Sequence, residues 1–309
     1  MRIGKIFDIG RALEAAAFAE AGEPETAIAL LRGGCDEPNA ATGGAGTYRA
    51  LVDAVRELGS VVVAFSGGAD SSLVAAASQE ALGTRALAVT AVSATLPGRE
   101  REAAARTAAV IGIRHLELPL DELVSPDFAA NGPDRCYHCK RVRMGGIIAC
   151  ARDNGFRAVL DGTNADDGGD WRPGLRACGE LGVRSPLAEA GIGKAAVRAM
   201  LRELGLAVHD KPSTPCLSSR IPYGSAVTRQ KLRQIEQAEE ALHVLGLREV
   251  RVRHHGAVAV IEVPREDAPR VLSAVGLAGR LREIGFAHVA LDIEGFRSGS
   301  LNRGLLRRT

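Results

Sequence analysis

From Tyr48 onward the chain switches between two rhythms of apolar and polar positions. TYRALVDAVRELG spaces its apolar residues as a helix does, VVVAF is a short continuous apolar run, and DSSLVAAASQEAL returns to helical character. The order repeats through strand RALAVTAV, helix GREREAAARTAAVIG and the short strand HLELPL. A helix around KRVRMGGIIACARDNG then leads to strand AVLDGTN and helix KAAVRAMLRELG. This alternation predicts an α/β fold, a doubly wound parallel sheet with ligands outside the carboxyl ends of its strands. Three polar loops follow strand ends: SGGADSS, the loop after TAV, and DGTNADDGGD. They are expected to converge on one pocket.

After Asp210 the pattern changes. KPSTPCLSSRIPYG is a proline-rich connector without periodicity. Helix VTRQKLRQIEQAEEALHVLG follows, then strands EVRVRHH and VAVIEV, helix REDAPRVLSAV and strand VALDI. These predict a smaller C-terminal α+β domain with an antiparallel sheet. Upstream of Tyr48, two short amphipathic patterns and the glycine-rich stretch GGCDEPNAATGGAG read as a leader and flexible linker. The expected division is a leader over 1–46, a nucleotide domain over 47–212 and a C-terminal domain over 213–309.

Composition narrows the partners. With 39 Lys+Arg against 37 Asp+Glu, the net charge of +2 gives no bulk reason to expect nucleic-acid binding. No apolar run approaches the ~20 residues of a membrane span, and charges break the N-terminus before a signal-peptide core develops. A cytoplasmic protein, a homo-oligomer acting on a small molecule, is expected. Its six cysteines then read as reduced thiols, metal ligands or reactive groups rather than a disulfide frame.

The chemistry concentrates in Val61–Ser72, VVVAFSGGADSS. A strand, a glycine turn and a helix N-terminus form an anion cradle. Gly67 and Gly68 let the backbone approach a ligand and reach positive φ. Ser66, Ser71 and Ser72 add hydroxyl donors, and Asp70 suits a Mg²⁺ ion bridged to phosphate oxygens. The lysine of a Walker A loop is missing. SGGxDS is similar instead to the pyrophosphate loop of ATP pyrophosphatases.

DRCYHCK supplies a second signature, with Cys136 and Cys139 as a C-x-x-C pair. Zinc usually needs a second such pair, a thioredoxin-type pair would open a helix, and a third thiolate from Cys216 would complete the protein's share of a 4Fe–4S cluster. Arg220, close to Cys216 in sequence, would favour its thiolate. Cys150 and Cys178 read as packing, and His254 and His255 as exposed strand-end imidazoles.

SGGADSS, DRCYHCK, DGTNADDGGDWRPG, RSPL and PCLSSRIPYG together, in this order, resemble the LarE family of ATP-dependent sulfur transferases from about Tyr48 to the chain end. The resemblance implies ATP and Mg²⁺ as cofactors. It also implies adenylation of a carboxylate of pyridinium-3,5-biscarboxylic acid mononucleotide and exchange of AMP for sulfur, toward a nickel-pincer nucleotide. Sulfur would come from an external sulfide donor through a three-cysteine 4Fe–4S cluster on Cys136, Cys139 and Cys216, or from Cys216 itself, consumed. Further positions it implies are Asp161, Asn164 and Arg172 toward the cofactor, and Ser219, Arg220, Glu239, Arg251 and Arg253 toward the substrate. Asp166, Asp170 and Arg176 are secondary candidates in the same loop.

Overall fold

A computed structural model describes residues 43–169, 173–212 and 214–297. Four parallel strands lie in the order β3-β2-β1-β4. They are β1 (Val61–Ala64), β2 (Ala86–Val92), β3 (Arg114–Pro119) and β4 (Ala158–Leu160). Val62 pairs with Leu87 on one side and Val159 on the other, so β1 is central. Parallel strands carry helices on both faces, which is why β1 is an unbroken apolar run and β2 is apolar but for Thr90, whose buried hydroxyl donates to Phe65 O at 3.0 Å. Strand order reverses direction between β1 and β4, and the ligand crevice of such sheets opens at that switch point.

Around the sheet run α1 (Gly43–Glu57), α2 (Ala69–Leu82), α3 (Gly98–Ile111), α4 (Arg135–Asp153), α5 (Pro173–Glu180) and α6 (Lys194–Glu203). Helix α2 packs on β1, α3 and α6. Being covered on several sides, it buries Leu73, Val74, Ala75 and Ala77 rather than a single stripe. Two boundaries differ from expectation. Helix α1 begins at Gly43, inside the stretch read as linker, and α4 begins at Arg135, so the C-x-x-C pair lies within its first turns rather than before it. The leader, Cys35 included, lies outside the described residues.

The C-terminal part holds α7 (Arg229–Val244), β5 (Arg251–His255), β6 (Val258–Glu262), α8 (Leu277–Ile284) and β7 (His288–Leu291). Thr228 caps α7 by accepting from the Lys231 N–H. Leu232, Ile235, Ala238 and Leu242 then recur at helical spacing as its buried face. The sheet is mixed rather than antiparallel: β5 runs against β6, whereas β6 and β7 are parallel. The chain from β6 returns through α8, a helix sequence reading passed over, and such a crossover brings a strand back in the same direction. His254 is also not the exposed imidazole expected. It is buried, tilted against Phe286, with Nε2 3.1 Å from Gln234 Oε1.

Candidate active site

The turn between β1 and α2 is built by its own side chains. Ser66 Oγ lies 3.1 Å from Ser71 Oγ, which also accepts from the Ser66 N–H at 3.3 Å. Gly67 has φ +66°, and a Cβ there would stand 2.6 Å from Ala104 Cα on α3. Gly68 is extended instead, at φ −86°, because it is the N-cap of α2; no side chain caps that helix. First-turn N–H groups therefore face the crevice without a side-chain acceptor, the arrangement that binds phosphate. Ser72 is fully buried and its hydroxyl has no hydrogen-bond partner. Gly67→Ala combines a left-handed backbone with a clash on α3 and is expected to cost about 2–4 kcal/mol; thermal melts with and without nucleotide would measure it.

The loop after β4 closes on this turn. A Cβ on Gly162 would meet the Ser71 nitrogen at 2.7 Å, so only glycine lets the two loops touch. Asp70 and Asp167 share this crevice. Burial, then the Asp167 charge, pushes the Asp70 carboxyl above the usual carboxylate range, while the Asn164 side chain, Lys194 and Arg198 oppose the shift. Two crowded carboxylates beside a phosphate cradle fit Mg²⁺, which is held by one or two carboxylates plus substrate phosphates. Among the described residues no three His, Cys, Asp or Glu side chains enclose an ion by themselves. Asp161 has a different position from the one expected. Its carboxylate accepts from Thr163 N, Thr163 Oγ1 and Ser185 Oγ at 2.8–3.0 Å, holding the loop's shape. Asn164 Oδ1 accepts from Asp166 N at 3.0 Å, and Asp166 caps α6 through the Lys194 N–H at 2.7 Å. Arg172 and Asp170 lie outside the described residues. Arg176 stacks 4.2 Å above Tyr137 and pairs with Glu180.

The connector brings Cys216 to the C-x-x-C helix. Arg135, the residue before Cys136, donates to Ser218 O at 3.0 Å and to Asn131 Oδ1 at 2.7 Å. Asn131 Nδ2 in turn donates to the carbonyls of Pro222 and Ser225, both at 2.8 Å. Cys139 packs against a cluster containing Leu217, the neighbour of Cys216. Burial pushes the Cys139 thiol up to about 12, with Arg143 opposing and the Cys216, Glu122 and Cys136 charges adding to the rise. Cys136 is exposed and Cys216 half-buried. Cys216 Sγ lies 3.0 Å from Ser218 Oγ, not against Arg220 as sequence proximity suggested. Cys178 is a buried packing thiol, as expected.

Arg220 is spent elsewhere. At 2 % exposure, it forms a bidentate pair with Glu239 at 2.8 and 3.0 Å and donates to Pro215 O and Ser219 Oγ. Arg253 repeats the device with Glu262, at 2.8 and 2.9 Å, and donates to Ser219 O at 2.7 Å. Arg251, on the same face of β5, has no carboxylate within ion-pair distance among the described residues. It donates to Arg297 O and lies 4.2 Å from the Phe296 ring. Burial, then the Arg253 and Arg220 charges, pushes its guanidinium down. Arg251, Arg220 and Glu239 line a cavity of about 710 Å³ that runs to Glu100 and Lys211, and Lys211 in turn reaches Gly67 O of the glycine turn.

Sequence reading missed Arg135, Asn131 and Lys211. Arg135 lay inside a quoted motif, but its partners are distant in sequence. It also missed Glu122, fully buried 2.8 Å from Arg143 beneath Cys139, where nothing in the local pattern marks it.

A parallel sheet with SGGADSS at its switch point defines an ATP pyrophosphatase domain of the PP-loop class, which uses ATP and Mg²⁺. A sequence profile described as asparagine synthase matches residues 47–167, the span from α1 through β4. The chain is 39% identical over 259 residues to the pyridinium-3,5-bisthiocarboxylic acid mononucleotide synthase of Lactiplantibacillus plantarum, covering 83% of this chain and 94% of that one. It is 43% identical over 254 residues to an uncharacterized Synechocystis protein, covering 81% and 95%. The chain belongs to the family of that synthase, LarE.

Proposed function

We propose that this protein uses ATP to adenylate a carboxylate of pyridinium-3,5-biscarboxylic acid mononucleotide and then replaces AMP with sulfur, giving a thiocarboxylate on the route to a nickel-pincer nucleotide. The carboxylate oxygen attacks the α-phosphorus and pyrophosphate leaves. Sulfur at the sulfide level then attacks the acyl carbon and AMP leaves with the bonding pair. Activation is needed because a free carboxylate would have to expel oxide. The observation that carries this reading is the connector, which ties Cys216 to the C-x-x-C helix on one side and reaches the glycine turn on the other.

Ser66, Gly67, Gly68 and Ser71 cradle the pyrophosphate portion, and Asp70 with Asp167 holds Mg²⁺. Arg251 receives the acceptor's phosphate: it is a buried cation with no carboxylate within ion-pair distance among the described residues, and it lines a cavity of nucleotide size. Arg220 and Glu239 line the same cavity, and Ser219 and Arg253 brace that wall, Ser219 accepting from both arginines. Cys136, Cys139 and Cys216 fit a 4Fe–4S cluster, since the buried Cys139 thiol feels the charges of both Cys216 and Cys136, and Cys136 is open to solvent. Such a cluster, when bound, leaves one iron free for an exogenous sulfide ligand. Among the described residues no helix is long and apolar enough to cross a membrane.

Asp70→Asn should slow acceptor-dependent pyrophosphate exchange by about 100-fold, by weakening charge stabilisation at the phosphates. Exchange at the normal rate would remove Asp70 from the site. For the sulfur source, anaerobic purification should give about four irons per chain and an unchanged protein mass after turnover. Iron-free protein that loses about 34 Da, as H₂S leaving a thiol, would assign the sulfur to Cys216 itself.

A further inference from the structure

The glycine turn has no lysine of its own, and its backbone N–H groups and hydroxyls carry little charge to set against a triphosphate. The fold delivers a lysine from the connector. Lys211 Nζ donates to Gly67 O at 3.0 Å and lies 2.8 Å from Glu100 Oε2 on α3. Its side chain is only 20 % exposed, so this placement is built rather than incidental. Its backbone is held as well: Arg198 donates to the carbonyls of His209 and Lys211, and the Arg198 charge is felt at Asp70. Beyond Lys211 the connector is stiffened by Pro212 and Pro215, whose φ angles are fixed. It is pinned again where Leu217 N donates to Thr95 O at 2.9 Å. Cys216 sits between these anchors.

We propose that Lys211 is the phosphate-contacting cation of the glycine turn and couples nucleotide occupancy to the position of the connector that bears Cys216. This rests on the ATP reading above. A phosphate oxygen is a stronger acceptor for an ammonium than the neutral Gly67 carbonyl. Nucleotide arriving in the cradle therefore draws Nζ inward, away from Glu100, and the connector follows its lysine. Linkage makes the effect reciprocal: whatever fixes the connector also tightens nucleotide binding.

The test uses the full chain with Mg²⁺ and α,β-methylene-ATP, which binds without releasing pyrophosphate. Affinity and hydrogen exchange of the 214–221 peptide are measured together. In the wild type, saturating analogue should slow exchange in that peptide at least about fivefold. Lys211→Met should bind the analogue about tenfold more weakly and show no change in the peptide at saturation, while Lys211→Arg recovers part of both. Undiminished affinity in Lys211→Met, or an exchange response that persists there, overturns the proposal. Should Lys211→Met not fold, Glu100→Gln carries the test, because freeing the lysine must raise affinity, and unchanged or weaker binding overturns the proposal. A wild-type chain that does not bind the analogue at all overturns the ATP reading along with this one.

Discussion

Cys216→Ala is expected to form the acyl-adenylate at the normal rate and to yield no thiocarboxylate. Adenylation draws on the glycine turn, Asp70 and the crevice between β1 and β4, and Cys216 contributes no contact there. Its side chain touches Ser218 Oγ, and the backbone around it is held by Arg220, Arg135 and Thr95 through groups that alanine leaves intact. Removing one half-buried sulfur should therefore leave the fold unchanged. Acceptor-dependent exchange of labelled pyrophosphate into ATP reads the first half-reaction, and mass spectrometry of the nucleotide product reads the second. Cys136→Ala and Cys139→Ala discriminate the sulfur source. If the three thiols act as one set, each variant loses thiolation as fully as Cys216→Ala does. If Cys216 alone gives up its sulfur, the other two retain a first turnover. Thiolated product from Cys216→Ala at the normal rate would sink the assigned role.

The parallel sheet and the phosphate cradle were legible in the sequence because both are local. VVVAF is apolar throughout and ALAVTAV is apolar but for Thr90, as suits strands covered on both faces, and the SGGADSS turn is written in seven consecutive residues. The C-terminal sheet was harder to read. A helix was expected between β6 and β7, over REDAPRVLSAV, yet the sheet was read as antiparallel; the LAGRLREI helix that completes the crossover is short and carries three charges. The site was legible as a set of residues but not as a division of labour. Arg220, Arg251 and Arg253 look alike in sequence, yet two pair with buried glutamates and the third has no carboxylate within ion-pair distance among the described residues. Nothing local distinguishes them, because Glu239 lies on α7 and Glu262 on β6, brought across by the fold. Lys211 was invisible for the same reason: its meaning depends on Gly67, far back in the chain.

Glu239→Gln is expected to destabilise the protein by about 3–5 kcal/mol, the cost of leaving a buried guanidinium without its carboxylate. That is roughly a 10 °C fall in melting temperature for a domain of this size. Glu239 Oε1 also accepts from Val252 N at 3.0 Å, so the change loosens α7 from β5 as well as from the connector. The double variant Arg220→Met/Glu239→Leu separates structure from chemistry. Replacing a whole buried pair by apolar side chains is often neutral, so its melting temperature should recover most of the loss. Thiolation should stay low, because Arg220 also fixes the carbonyls of Pro215 and Cys216, and a thioether cannot. A double variant that regained both stability and full thiolation would reduce the pair to packing and leave the connector's position to Arg135, Arg253 and Lys211. Stability unchanged in Glu239→Gln would mean that solvent reaches Arg220 in solution, contrary to the buried bidentate pair seen here.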